Sequence, residues 1–157
     1  MKSQIISTLN GSKGIEIILT TPNGKPCSRD EITAIFSYKF NCLSNDFIEE
    51  KVDAIWEGKC NSNNRLYNRS KFRFSGLSYN DQIIIFKIGL TSYKELMGTN
   101  CNREFGLELV DLGKKDHSNA SAYLSNGLGV GALLITKDGF VVFIKRAMWT
   151  GEEQGKV

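Results

Sequence analysis

Arg146 is the residue best suited by type to meet a phosphate. It closes the run Leu128-Gly129-Val130-Gly131-Ala132 through Lys145-Arg146, and a guanidinium can hold a phosphate through two parallel hydrogen bonds. Lys145 would project to the opposite face of a regular strand, so only one of the pair can face a site, and Arg146 is preferred. Tyr93, in Thr91-Ser92-Tyr93-Lys94-Glu95, offers a ring that can stack on a flat ligand and a hydroxyl that can hydrogen-bond. Phe72, between Lys71 and Arg73, can form a wall of the same pocket. Each also has a purely structural reading: a solvated basic strand end, the packing of a short amphipathic helix, and a core residue on an alternating strand.

The elements that would position them are legible from local patterns. Leu133 to Thr136, a Lys137-Asp138-Gly139 turn and Phe140 to Ile144 read as a β-hairpin, because Asp-Gly supplies the positive φ of a tight turn. Lys71 to Phe74 alternates as a half-buried strand does, and Ile83 to Ile88 is nearly continuous in apolar residues, as a strand buried on both faces is. Ser92 to Glu95 is a capping box opening a short helix that Gly98 stops. Upstream, Gln4 to Leu9 and Gly14 to Thr20 form an opening hairpin. A second capping box, Ser28 to Glu31, predicts a helix with Ile32, Ile35, Phe36 and Phe40 as its apolar stripe. A further helix is predicted from Asp46 to Glu57, ended by Gly58. Residues 99–118 read as polar and irregular, Ala120 to Leu124 as a helical turn, and the tail from Trp149 as a loop. The fold class is therefore α+β.

Composition narrows the functions. A net charge of +3 over 157 residues gives no general attraction to nucleic acid or an anionic membrane, though a local anion site remains open. Apolar runs fall well short of the about 20 residues a membrane helix needs. Cys27, Cys42, Cys60 and Cys101 are scattered and His117 is the only histidine, a poor set for zinc. Met1-Lys2-Ser3-Gln4-Ile5-Ile6-Ser7 lacks the apolar stretch of a secretory signal, so reduced thiols and a cytoplasmic location, with the nucleus also open, are expected.

Three clusters resemble one family, the UDP-glucose pyrophosphatase-like branch of the Nudix hydrolases. They are Asn64-Arg65-Leu66-Tyr67-Asn68 leading into Lys71-Phe72-Arg73-Phe74, then Gly89 through Asn100 around Thr91-Ser92-Tyr93-Lys94-Glu95, then Leu128 through Arg146. The resemblance implies an N-terminal mixed β/α module over residues 1–126 and, over 127–157, the first strands of a Nudix-type α/β/α sandwich. It also implies magnesium-dependent hydrolysis of UDP-glucose or UDP-galactose to UMP and a sugar 1-phosphate. In such a reaction, carboxylates hold magnesium, which neutralises the phosphates and activates water. The substrate-binding residues expected from it are Phe72, Tyr93 (now against uracil), Arg146 and Gly151, the last through its backbone. No catalytic or metal-ligating residue is assigned.

The family's metal motif, Gly-x5-Glu-x7-Arg-Glu-U-x-Glu-Glu-x-Gly-U with U a bulky apolar residue, does not follow the hairpin. Eleven residues follow Arg146, and Glu152 and Glu153 are adjacent, so they cannot share one helix face as a ligand set. A partial echo, Gly89-x5-Glu95-x7-Arg103-Glu104-Phe105, precedes the hairpin instead and fails at its later positions. The expectation is a truncated chain that carries the substrate-facing half of the enzyme and is inactive alone. The alternative is a module that binds UDP or UDP-sugar without hydrolysing it. A faint likeness of Lys71-Phe72-Arg73-Phe74 and Ser78-Tyr79 to the aromatic strand of an RNA-recognition motif lacks that motif's glycines, so nucleic acid is not expected as a partner. The choice of sugar and the oligomeric state stay open.

Overall fold

The segment Ile32-Thr33-Ala34-Ile35-Phe36 shows most clearly how tertiary pairing overrides a local signal. The computed structural model describes residues 6–7, 16–17, 28–80, 83–129, 131, 133–150 and 155. In it the Ser28 capping box forms, with the Ser28 amide donating to Glu31 Oε2 at 2.7 Å, but it encloses a single 3-10 turn, Arg29–Glu31. The predicted helix is replaced by a strand, Ile32–Phe36. Its β-branched and aromatic residues suit a pleated surface, and it pairs in parallel with a later strand from Ile32↔Ile84 to Phe36↔Ile88.

The elements in chain order are β1 (Ile6–Ser7), β2 (Glu16–Ile17), β3 (Ile32–Phe36), α1 (Asp46–Ser62), β4 (Ser70–Asn80), β5 (Ile83–Ser92), α2 (Tyr93–Gly98) and α3 (Arg103–His117), with a second 3-10 turn at Tyr38–Phe40. This is the expected mixture of sheet and helix. β1 and β2 pair antiparallel, Ile6↔Ile17, as the opening hairpin predicts. The main sheet has the order β3-β5-β4, with β4 antiparallel to β5. A bulge between Phe74 and Gly76 breaks its register, and Gly76 takes the positive φ of 150° there. Central β5 buries Ile84 and Ile88, while Ile85 and Phe86 are half-buried and Ile83 is exposed, so the strand is less enclosed than its apolar run predicts.

Helix ends follow their caps. Asn45 Oδ1 accepts from the Ile48 amide and starts α1, and Ile48 and Val52 bury its inner face. Gly58 does not stop it; one glycine costs only about 1 kcal/mol, and the helix runs on to the Asn63 cap. Residues 99–118, expected to be irregular, contain α3. Asn102 Oδ1 accepts from the Phe105 amide, and Phe105, Leu109 and Gly113 recur at helical spacing on its buried face. Gly106 and Gly113 mask this helix in the sequence, yet both serve packing, because a Cβ at either would press on the carbonyl of Thr99 or Asn119.

The core sits between helices: Ile48 and Val52 of α1 meet Phe105 and Leu109 of α3, closed by Ala122 and Tyr123. The sheet joins this layer through Arg73 of β4, which is 3% exposed. Its guanidinium donates to the carbonyls of Leu124, Phe40 and Ser121 at 3.0, 2.8 and 2.6 Å. The chain then runs back along β4. Phe74 donates to the Asn126 carbonyl and Leu128 donates to the Phe72 carbonyl, with a bridge between Arg73 and Gly127. Beyond it lies the expected hairpin. Ile135 bridges Val141, the Thr136 amide donates to the Phe140 carbonyl, and Gly139 has φ 87°.

Candidate functional site

Residues 65, 67, 69 and 71 are Arg, Tyr, Arg and Lys. In an extended segment such alternation tends to turn all four to one side. Here all four line one groove of about 370 Å³, together with Leu66, Ser70, Tyr93, Arg146, Trp149 and Thr150. Asn63 ties two of the lining segments together: its Oδ1 accepts from the Arg65 amide at 3.1 Å, and its Nδ2 donates to the Trp149 carbonyl at 2.9 Å. The latter bond joins parts of the chain 86 residues apart. The segment leading into β4 is tied to the start of α2, where the Tyr93 amide donates to the Arg69 carbonyl at 2.8 Å and the Lys94 amide donates to Asn68 Oδ1 at 2.8 Å.

Three groove cations lie over aromatic rings. Arg69 is 4.6 Å from the Tyr67 centroid, Lys71 is 5.5 Å from Tyr93 and Arg65 is 5.7 Å from Trp149. Trp56 of α1 packs edge-on against Tyr93, centroids 5.9 Å apart, which fixes that ring. Arg146 is exposed at the rim. No Asp or Glu is among the described lining residues. The ion pairs among the described residues, Lys94–Asp53 and Lys114–Asp111, use none of the four cations. Such a surface can bind a polyanion that also carries a planar ring.

Tyr93 and Arg146, both expected from the sequence, are thus brought together. Phe72 is not with them. It alternates with Lys71 on β4, packs edge-on against Phe36 of β3 at 6.4 Å and is 57% exposed on the other face of the sheet. Gly151 lies outside the described residues, as do Glu152 and Glu153. Sequence reasoning did not single out Arg65, Tyr67, Arg69 or Trp149 as site residues, although the two-residue alternation of cation and aromatic was there to be read. The likeness to an RNA-recognition strand has no counterpart in Arg73, whose donors are spent on backbone carbonyls.

A second cavity, of about 250 Å³, includes Cys42, Asp53, Lys94, Glu95 and Tyr123 in its lining. Burial, reinforced by Glu95, pushes the Cys42 thiol up to about 11, so it stays protonated at neutral pH and is a poor nucleophile. Glu95 accepts from Thr91 at 3.0 Å and from Cys42 at 3.9 Å. Glu104 instead opens a different helix, α3, so the partial metal-motif echo is split between two elements. Among the described residues no group of three or more His, Cys, Asp or Glu could hold a metal ion. The described residues therefore do not fit a magnesium site.

No family model matches the chain. Individual proteins do. It is 33% identical over 114 residues to the uridine diphosphate glucose pyrophosphatase NUDT22 of Homo sapiens, covering 69% of this chain and 37% of that protein. It is 34% identical over 115 residues to the Bos taurus protein of the same name, covering 69% and 39%. By descent, the chain belongs to the UDP-glucose pyrophosphatase-like branch of the Nudix superfamily. Nudix hydrolase 9 of Arabidopsis thaliana is 26% identical over 150 residues, which cover 89% of this chain and 47% of that protein. The chain thus spans less than half the length of these Nudix relatives. Among the described residues no helix is long and apolar enough to cross a membrane.

Proposed function

We propose that the chain binds a uridine diphosphate sugar in the groove of Arg65, Tyr67, Arg69, Lys71, Tyr93, Arg146 and Trp149. The observation that carries this reading is the meeting of four cations and three aromatic rings with no carboxylate among the described lining. Descent from a branch whose members are named for UDP-glucose supplies the ligand class. In this reading Arg69, Lys71 and Arg146 take the diphosphate, Tyr93 stacks on uracil, and the ring of Trp149 closes the pocket over the sugar side.

The family reaction, hydrolysis of the diphosphate to UMP and a sugar 1-phosphate with magnesium supplying charge neutralisation, is the activity we propose for the full family fold. For these 157 residues we propose binding without efficient turnover, because the one match to the front of the metal motif, from Gly89 to Phe105, breaks down at Leu107 and Val110, where the motif needs Glu and Gly. We also propose a division into a mixed β/α module over 1–126 and the start of a Nudix sheet over 127–157. Support comes from the hairpin at 133–144, whose strands, among the described residues, pair with each other.

Titration calorimetry tests the binding. UDP and UDP-glucose are expected to bind with Kd near ~10 µM, about −7 kcal/mol, and uridine at least about tenfold more weakly because it offers the cations nothing. Equal affinity for uridine and UDP would remove the cations from the account, and no UDP binding at millimolar concentration would remove the groove.

A further inference from the structure

We infer that the groove takes the diphosphate as the metal-free anion, so that divalent cations weaken this binding step instead of supporting it. The inference rests on the nucleotide-binding reading above and adds to it the charge state in which the ligand is received.

A site that binds a metal–nucleotide complex must offer the metal oxygen ligands, carboxylates above all. The described lining offers the reverse. Arg65, Arg69, Lys71 and Arg146 converge with no Asp or Glu between them, and none of the four belongs to an ion pair among the described residues. Three lie over aromatic rings, whose faces attract the cation without neutralising it. Glu95, the carboxylate of adjoining α2, is occupied by Thr91 and Cys42 and lines the other cavity. A magnesium ion riding on the diphosphate would bring two positive charges towards four, and it would cancel the negative charge the groove is built to meet. Among the described residues the groove thus meets the phosphates with cations alone, and metal and groove compete for the same oxygens.

The test is calorimetry of UDP binding to the 157-residue chain in EDTA and again in about 10 mM magnesium chloride, with ionic strength matched by potassium chloride so that screening is equal. Undiminished binding in EDTA and about fivefold weaker binding in magnesium is the expected result. Equal or tighter binding in magnesium would overturn the inference while leaving the nucleotide reading intact. Absence of binding in both buffers would overturn both. Repeating the pair of titrations with UDP-glucose, whose diphosphate holds magnesium less tightly than the free terminal phosphate of UDP, should show a smaller magnesium penalty, and a larger one would also count against competition for the oxygens.

Discussion

Replacing Arg73 by Met is expected to cost about 3 kcal/mol of folding stability or more. The side chain is 3% exposed and donates to three carbonyls from two separate stretches of chain, Phe40 on one side and Ser121 and Leu124 on the other. Methionine keeps most of the volume, so the loss is one of hydrogen bonds and not of packing. Three carbonyls lose a charged donor, and each one left without a partner in the interior costs about 1–3 kcal/mol. Burial pulls the guanidinium's pKa below its ordinary value, with Cys42 and Glu95 nearby opposing that pull; its carbonyl partners offset the desolvation it suffers. Lysine should rescue little, because a compact ammonium cannot span the same three acceptors. Urea denaturation monitored by far-ultraviolet circular dichroism checks this. A loss below about 1 kcal/mol would mean that water replaces the guanidinium and that the sheet is not tied to the helical layer there.

The double substitution Arg69→Glu, Arg146→Glu is expected to weaken UDP binding by at least about a hundredfold. Each lost charge-assisted contact contributes about 1.5–3 kcal/mol, and the reversed charges add repulsion. Both residues are exposed, so the fold should survive, and an unchanged thermal melt beside the calorimetry separates lost binding from lost structure. Retained affinity in a folded double variant would place the nucleotide elsewhere.

Legibility in the sequence followed the range of the interaction responsible. Signals contained in four or five residues were readable: the Ser92 cap before α2, whose hydroxyl accepts from the Glu95 amide although the Glu95 carboxylate turns to Thr91 and Cys42 and leaves the box half made, the Asp138-Gly139 turn, the start of α1. The Ser28 box was equally readable and it forms, but the residues after it are claimed by β5, 52 positions away (Ile32↔Ile84), and no local pattern announces that pairing. α3 went unread because Gly106 and Gly113 look like breakers until Thr99 and Asn119 are seen pressing against them. The site divides the same way. Tyr93 and Arg146 are legible from residue type and from family resemblance together, whereas Trp149 enters through long-range contacts, the bond from Asn63 across 86 residues and the Arg65 guanidinium over its ring. Phe72 looks like a pocket wall in sequence because it stands between two cations. Strand alternation sends it to the opposite face, against Phe36, so the proposed groove has its walls without it.

The central claim is that residues 65–71, Tyr93 and the segment around Arg146 to Thr150 form one nucleotide-binding surface. Amide chemical-shift mapping by NMR during a UDP titration tests it most directly. The account predicts saturable shifts concentrated at Arg65 to Lys71, Tyr93 and Arg146 to Thr150. Shifts centred on the Phe36–Phe72 face, or on the cavity of Cys42 and Glu95, with the groove silent, would contradict it.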